Sequence, residues 1–233
     1  MCDRYTISVL PSDLDLWLHV KVPEDYKPRF NAAPTQYLPI LTNYNTKKII
    51  MGRWGFISNI SRDKDTSPKL YKKSIDSFRS SDLWGKLLIN NRCLIIADGF
   101  YCWKEIGKKQ KVAYRIVPRN KKIFCFAGIW EVSEDINTGY KNISFIIVTK
   151  SSYKPINEIS DTMPVIIEPG KELKWLNTNL SLEDVILKMD IEDWALLRYY
   201  PVSPKIYDIN LDTPDLIKLA PTSDQFGNYT LFD

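Results

Sequence analysis

The chain has 233 residues, enough for one large domain or two small ones with a substantial apolar core. A composition of 44% hydrophobic and 26% charged residues is typical of a globular protein. No stretch approaches the roughly 18 apolar residues that a membrane helix needs. The net charge of +4 is weak evidence for a polyanionic partner.

The four cysteines and the single histidine, His19, carry information about metals and compartment. The cysteines show no CxxC spacing, and one histidine cannot complete the usual Cys/His metal set. We therefore predict no metal and no cofactor. The strand-like start, which is charged at Asp3 and Arg4, is not typical of a signal peptide. Free thiols in a reducing, cytoplasmic compartment are the expectation.

The first part of the chain alternates short apolar runs with polar segments. In chain order it predicts a strand at 4–10, a short helix opening at Pro11, an extended or looped segment at 23–35, strands at 36–41 and 48–56, a long polar loop at 58–80, and a helix at 80–90.

The second part is richer in apolar runs. It predicts strands at 93–103, 111–117, 122–132, 142–150 and 163–167, short helices at 181–189 and 191–200, and an extended segment at 201–209. Many antiparallel strands with small helices predict an α+β fold. The expected architecture is a curved, barrel-like, mostly antiparallel sheet with short peripheral helices, in a single domain spanning residues 1–233.

Cys2 directly follows the initiator methionine. Removal of Met1 would leave an α-amine and a thiol on neighbouring carbons, and this pair condenses with aldehydes to give a five-membered thiazolidine. The α-amine has a pKa well below that of lysine, so much of it is free base near neutral pH. The alternative is a chance residue at a frayed terminus.

Several other segments depart from generic core and turn composition. They are "FNAAPTQ" (30–36), "RWGF" (53–56), "ADGFYCWKE" (97–105), "FAGIWE" (126–131) and "DTMPVII" (161–167). Each could be a tight turn, a packed aromatic cluster or a proline at a strand entrance. Together with "MCDRY" at the start and "YYPVS" near the end, and in this order, they resemble the SRAP family of SOS-response-associated, abasic-site-processing proteins. The match runs from residue 2 to about residue 203.

The resemblance implies a function for Cys2. In this family the exposed cysteine condenses with the ring-opened aldehyde of an abasic site in single-stranded DNA, giving a thiazolidine DNA–protein cross-link. The asparagine of the family motif N-x-A-P-T-Q lies against the cysteine, and here that residue is Asn31. Arg4 and Trp54 fall at positions that resemble DNA-contacting ones.

The chain departs from the family pattern where acid/base chemistry is expected. The family glutamate of F-Y-E-W is Cys102 here, and the histidine of H-x-R-M-P is Ser160. Glu105 and Asp161 are close in sequence and are candidate substitutes. However, residues an odd number apart on a strand face opposite sides, which counts against both.

Other departures concern charge. The family arginine of H-x-R-M-P is matched by Thr162. The phosphate-gripping segment N-A-R-x-E reads "KKSID" (72–76), where Lys72 and Lys73 can replace the lost contacts in charge but not in bidentate geometry. Asp3 replaces a glycine and places a negative charge beside Cys2.

Three functions follow from these observations. The first is an abasic-site cross-linker that uses Cys2, acting as a monomer on single-stranded DNA. The second is a relative that binds single-stranded DNA without cross-linking. The third is a thiol peptidase limited to removing its own Met1, which lacks an obvious base because His19 lies on an early helix.

Overall fold

The computed structural model describes residues 3–56, 70–107, 109–119, 123–134, 139, 141–177, 179–190 and 197–230. The strands in these ranges are β1 (Arg4–Ile7), β2 (Arg29–Ala32), β3 (Tyr37–Thr42), β4 (Asn45–Trp54), β5 (Lys72–Ser74), β6 (Arg92–Ala97), β7 (Gly99–Ile106), β8 (Gln110–Pro118), β9 (Phe124–Glu134), β10 (Lys141–Ser151), β11 (Thr162–Pro164), β12 (Ile166–Ile167) and β13 (Leu197–Pro201). The α-helices are α1 (Pro11–Leu18), α2 (Asp76–Arg79), α3 (Asp82–Asn90), α4 (Glu172–Leu176) and α5 (Leu182–Asp190).

These strands form two sheets. One is five-stranded, in the order β13-β8-β7-β1-β2. The other is eight-stranded, in the order β11-β10-β4-β3-β6-β9-β12, with β5 beside β10. Because β9 also pairs with β10, the strands β10, β4, β3, β6 and β9 close into a five-stranded barrel. The predicted α+β, barrel-like, mostly antiparallel architecture is confirmed.

Aromatic side chains join the two sheets. Tyr5 on β1 meets Trp54 on β4 edge to face at 5.2 Å and Phe126 on β9 at 5.8 Å between ring centroids. Phe100 on β7 meets Phe126 in the same way at 5.9 Å. Edge-to-face contacts at these distances stabilise a core beyond simple burial. They fix β1, where the candidate site begins, against the barrel.

The segment 93–103, predicted as one strand, is two strands in different sheets. β6 belongs to the barrel and β7 to the five-stranded sheet, and the chain bends at Asp98 between them. Gly99 allows this bend to pack closely, because a Cβ there would lie 2.8 Å from Arg115 Nε and 2.9 Å from Thr6 Oγ1. An apolar run alone does not reveal such a crossing.

The loop predicted at 58–80 is wrong for part of the stretch that the structure describes. Residues 57–69 lie outside the described residues, but β5 and α2 follow within the predicted range. β5 pairs in parallel with β10, with Lys72 opposite Ile147. A polar, lysine-rich sequence carries no strand signal, so this strand depends on its partner.

The predictions for the C-terminal part of the chain are also partly right and partly wrong. Helix α5 is confirmed, and Ser181 caps it by accepting a hydrogen bond from Asp184 N at 3.1 Å. The helix predicted at 191–200 is wrong where it overlaps strand β13 (Leu197–Pro201), which is paired with β8. The remainder, 191–196, lies outside the described residues. Among the described helices, none has the length and apolar character needed to cross a membrane.

Candidate active site

The candidate site is the amino-terminal end of β1. Met1 and Cys2 lie outside the described residues, so the described part of the site begins at Asp3. The ladder between β1 and β7 pairs Arg4 with Tyr101 and Tyr5 with Phe100. This register determines which side chains share a face with the residues that precede β1.

A polar cluster around the carboxylate of Asp3 lies at this end of β1. Asp3 Oδ1 is 2.6 Å from Lys72 Nζ, and the two side chains are 29% and 21% exposed. The hydroxyl of Tyr71 hydrogen-bonds to the same carboxylate. Burial, reinforced by the negative charge of Asp3, raises the pKa of Tyr71 to about 12, so its hydroxyl stays protonated and acts as the donor. Asp3 therefore has two donors, both from the β5 region.

Arg4 is half-buried beside this cluster. Its Nη1 donates to the backbone carbonyl of Asp3 at 3.1 Å. Its buried Nε has no hydrogen-bond partner among the described residues. Burial lowers the pKa of Arg4, but an arginine remains charged near neutral pH. The guanidinium thus brings an incompletely satisfied positive charge next to Asp3.

The side chains of the two lysines of β5, Lys72 and Lys73, contact different neighbours. Lys72 contacts Asp3, whereas the Nζ of Lys73 lies over the Trp84 ring of α3 at 4.3 Å. Desolvation at that position lowers the pKa of Lys73. Consecutive strand residues face opposite sides, so only Lys72 reaches the β1 end. Lys73 therefore does not join the Asp3 cluster, and its predicted contact with DNA stays a prediction.

Trp54 is a core residue in the structure, and its predicted contact with DNA stays a prediction. The side chain is 1% exposed, and its ring packs against Tyr5, Tyr71 and Phe145. Its Nε1 donates to Tyr71 O at 2.7 Å. A ring without an exposed face cannot stack on a base. Instead, Trp54 holds Tyr71 in place beneath Asp3.

Asn31 is fully buried on β2, and its amide anchors the C-terminal segment. Its Nδ2 donates to the carbonyl oxygens of Asp208 at 3.0 Å and Leu211 at 2.9 Å, with a longer contact to Ile206 at 3.4 Å. Carbonyls only accept, which fixes the orientation of the amide. Its buried Oδ1 has no hydrogen-bond partner among the described residues. Its predicted contact with Cys2 lies outside the described residues.

The thiol of Cys102 and the carboxylate of Glu105 do not come together. Cys102 is completely buried in the core, and Glu105 is exposed and pairs with Lys111 at 3.1 Å. The expectation that these residues face opposite sides is confirmed. The thiol of Cys102 is internal, and its role as a substitute for the family glutamate stays a prediction. Glu105 is directed at the neighbouring strand β8.

The second pair of candidate substitutes, Ser160 and Asp161, also differs in burial. Ser160 is buried, and its hydroxyl donates to Thr162 O at 2.9 Å, within its own loop. Asp161 and Thr162 are exposed at the start of β11. Thr162 pairs with Ser151 on β10, whereas Lys72 pairs with Ile147. Because Pro164 and Ser74 both pair with Thr149, β11 and β5 overlap along β10, with Thr162 and Lys72 at opposite ends of the paired stretch.

The other end of β1 has a different polar group. Asp98 lies 3.4 Å from Arg115 Nη2, and both side chains are 9% exposed. A cavity of about 600 Å³ opens beside them, where Arg119, Arg198 and Asp13 complete the charged part of the lining. Within the described ranges, no group of three or more His, Cys, Asp and Glu side chains could hold a metal ion.

Sequence reasoning missed Tyr71. It precedes β5 inside the segment predicted as loop, and nothing local marks it. Its role depends on Asp3, which is distant in sequence. The one available signal was that two departures from the family pattern, Asp3 and Lys72, carry opposite charges.

The sequence is similar to one known family and to several named proteins. Residues 1–209 match the sequence profile described as SOS response associated peptidase (SRAP). The chain is 28% identical over 226 residues to abasic site processing protein YoqW of Bacillus subtilis, with 94% of this chain and 99% of that protein covered. It is 25% identical over 222 residues to abasic site processing protein HMCES of Xenopus tropicalis, with 82% of this chain and 66% of that protein covered.

Solved structures share the fold. A protein from Bacteroides thetaiotaomicron superimposes with a TM-score of 0.83 at 19% identity, covering 94% of this chain and all of that chain. A protein from Bordetella bronchiseptica gives 0.73 at 15% identity, with 87% and 100% covered. At these identities the likeness concerns the fold alone.

Proposed function

The chain belongs to the SRAP family, and from that premise we propose that it is an abasic-site-processing protein. It binds single-stranded DNA and, after Met1 is removed, forms a thiazolidine cross-link through Cys2. The relatives named as abasic site processing proteins support the first part of this proposal. The retained Cys2 supports the second.

One observation carries the proposal. The residue bonded to Cys2 lies in a cluster that joins Asp3 to Lys72, with the guanidinium of Arg4 beside it. The cluster carries two positive charges and one negative charge, so it is suited to a phosphate next to the lesion. Arg4 offers an unsatisfied donor, which a phosphate oxygen can accept. We assign Arg4 and Lys72 as the phosphate-binding residues.

The chemistry balances without a cofactor. The Cys2 amine adds to the C1′ aldehyde of the opened deoxyribose to give a carbinolamine. Loss of one water gives an iminium ion, the thiol gives up its proton, and the sulfur attacks the iminium carbon. The product is a thiazolidine, and the net change is the loss of one water per cross-link. General acid/base groups accelerate such proton transfers by about 10²–10⁴-fold.

Intact mass spectrometry tests this function. The protein is mixed with a single-stranded oligonucleotide that carries one abasic site. We expect loss of Met1 and then a mass gain of one oligonucleotide less one water. The matched controls are Cys2→Ala and the same oligonucleotide with an intact base. A processed Cys2 that remains unmodified after prolonged incubation would contradict the proposal.

The second candidate is DNA binding without cross-linking. Burial of Cys102 and Ser160, which stand at the family's acid/base positions, favours it. Salt-dependent binding to undamaged single strands, with no covalent product, would support this function over the first. Failure to bind DNA at low salt would contradict both.

The peptidase reading is the weakest of the three. His19 is exposed at the carboxyl end of α1, where its backbone N–H donates to Asp15 O at 2.7 Å. A cysteine peptidase needs a base beside its thiol. We propose at most removal of its own Met1. We further propose that the protein is a cytoplasmic monomer. We also propose that it has a single domain, because core residues from both sheets form one cluster.

A further inference from the structure

The proposed chemistry of Cys2 does not use the cavity at the carboxyl-terminal end of β1. The volume of this cavity is about 600 Å³, within the range of sites that hold small organic ligands. Its lining comes from the segment between β1 and α1, the end of β8, the start of β13 and Ile217. An inorganic phosphate ion would occupy only a small part of this volume, so a larger ligand with an organic group fits it better.

Among the described residues, three arginines line the cavity from one face of the five-stranded sheet. The ladder between β8 and β13 pairs Arg198 with Val117 and Tyr200 with Arg115. Directly paired residues project to one face, and residues two apart on a strand share that face. Arg198 therefore lies diagonally across from Arg115, at a separation of about 7–8 Å. Arg119, the residue after β8, lines the same cavity two residues beyond Val117.

The three arginines differ in how many partners they have. Arg119 and Arg198 are exposed, and neither has an ion pair or a hydrogen bond within the ranges that the structure describes. Arg115 is 9% exposed and donates to Tyr200 Oη at 2.8 Å and to Thr6 Oγ1 at 2.9 Å. Arg115 is therefore a fixed charge beside the cavity, whereas the other two guanidinium groups are free to bind a ligand.

The two carboxylates found in the described part of the lining already have partners. Asp98 accepts a hydrogen bond from Ser8 Oγ and pairs with Arg115 at 3.4 Å. Asp13 accepts from Leu10 N at 3.3 Å, at the start of α1. Three guanidinium groups against two carboxylates leave one net positive charge, so the lining favours an anion. A guanidinium group binds a phosphate through two parallel N–H donors.

We propose that this cavity binds a phosphate monoester, with Arg119 and Arg198 as the ligand-binding residues and Arg115 as a fixed positive charge beside them. Near neutral pH a phosphate monoester carries close to two negative charges, which suits two unpaired guanidinium groups. Val9 and Ile217 provide apolar surface for the organic group. Monoester phosphates occur on nucleoside 5′-monophosphates and at the 5′ ends of DNA strands, and the test separates these two sources.

Isothermal titration calorimetry with deoxyadenosine 5′-monophosphate tests the site. The variants are Arg119→Gln and Arg198→Gln, both at exposed positions, so the fold should be kept. The control is Arg79→Gln, which removes the same charge from an arginine that is 45% exposed on α2 and pairs with Glu183 at 3.7 Å. We expect each cavity substitution to weaken binding of the nucleotide by about 10-fold or more. Arg79→Gln should leave binding unchanged.

A second titration separates the two sources of the phosphate. It uses an undamaged single-stranded oligonucleotide, with either a 5′-phosphate or a 5′-hydroxyl. Tighter binding of the 5′-phosphorylated strand that is lost in Arg119→Gln and Arg198→Gln would assign the site to a DNA end. Equal binding of the two strands, with arginine-dependent binding of the nucleotide, would assign it to a free nucleotide. Either result supports the inference.

Three results would overturn the inference. The first is no measurable binding of the nucleotide together with no preference for the 5′-phosphorylated strand. The second is nucleotide binding that Arg79→Gln weakens as much as the cavity substitutions do. The third is that the cavity substitutions weaken the 5′-hydroxyl strand equally, which would indicate internal phosphodiesters as the ligand. Because neither probe carries an aldehyde, none of these results depends on cross-linking by Cys2.

Discussion

Two ion pairs occupy opposite ends of β1, and they differ in burial and in surroundings. At the carboxyl-terminal end of β1, the far end, Asp98 and Arg115 are each 9% exposed. Arg115 also donates to Tyr200 Oη at 2.8 Å and Thr6 Oγ1 at 2.9 Å. At the amino-terminal end of β1, the near end, Asp3 and Lys72 are 29% and 21% exposed. Removing one partner of a buried pair leaves an uncompensated charge, whereas an accessible pair loses little. The far pair should therefore contribute more to the stability of the fold than the near pair, which remains accessible.

Breaking the far pair should have the largest effect. We expect Arg115→Ala to lower the free energy of unfolding by about 3–5 kcal/mol, because Asp98 would remain buried without its cation. Urea unfolding measures this. Arg119→Ala, an exposed arginine beside the same cavity, is the control and should change stability by less than about 0.5 kcal/mol. Equal effects of the two substitutions would contradict the comparison.

Asn31 tests whether a residue near β1 belongs to the fold or to the chemistry. Asn31→Ala removes the donor to the carbonyls of Asp208 and Leu211, so we expect a loss of about 2 kcal/mol in unfolding free energy. Hydrogen exchange should become faster across 206–212. If stability is unchanged while cross-linking to abasic DNA is abolished, the anchoring role is wrong and Asn31 belongs to the reaction.

The close packing at the far end gives a smaller effect. Gly99→Ala places a Cβ 2.8 Å from Arg115 Nε and 2.9 Å from Thr6 Oγ1. We expect a loss of about 1–3 kcal/mol, since side chains in a packed region must shift to make room. Thermal unfolding measures it. The double variant Gly99→Ala/Thr6→Ser keeps both close contacts and should be no more stable than the single variant.

Glu131 is a buried carboxylate with no ion pair among the described residues. It accepts a long hydrogen bond from Ser144 Oγ at 3.4 Å, and burial raises its pKa to about 7. The folded state therefore binds a proton that the unfolded state releases near its ordinary value of 4.5. Stability should fall as pH rises from about 4.5 to about 7, on the order of 1 kcal/mol. Glu131→Gln should remove this pH dependence in urea unfolding; an unaltered slope would contradict the assignment.

The near pair should have the smallest effect on stability. We expect Asp3→Asn to change the free energy of unfolding by less than about 1 kcal/mol, because a partly exposed pair is screened and costs side-chain entropy to form. The same urea titration measures it. A loss comparable to that of Arg115→Ala would mean that the pair of Asp3 and Lys72 is needed for the stability of the fold.

Much of the fold could be predicted because apolar alternation encodes strands locally. β8, β9, β10 and α5 lie close to where their patterns place them. β5 and β13 could not be predicted, since each is a strand only through pairing with a distant one. The single run at 93–103 could not show that Asp98 divides it between two sheets.

The sequence by itself determined the family, because collinear motifs are a property of the linear chain, and it predicted a reactive Cys2 after Met1. It also identified where carboxylate and histidine are missing. Only the tertiary structure decided which residues stand near the site. It buried Trp54 and Cys102, turned Lys73 away from Lys72, and brought Lys72 to Asp3. The physical reason is that strand register and facing side chains depend on partners remote in sequence, and no local pattern encodes them.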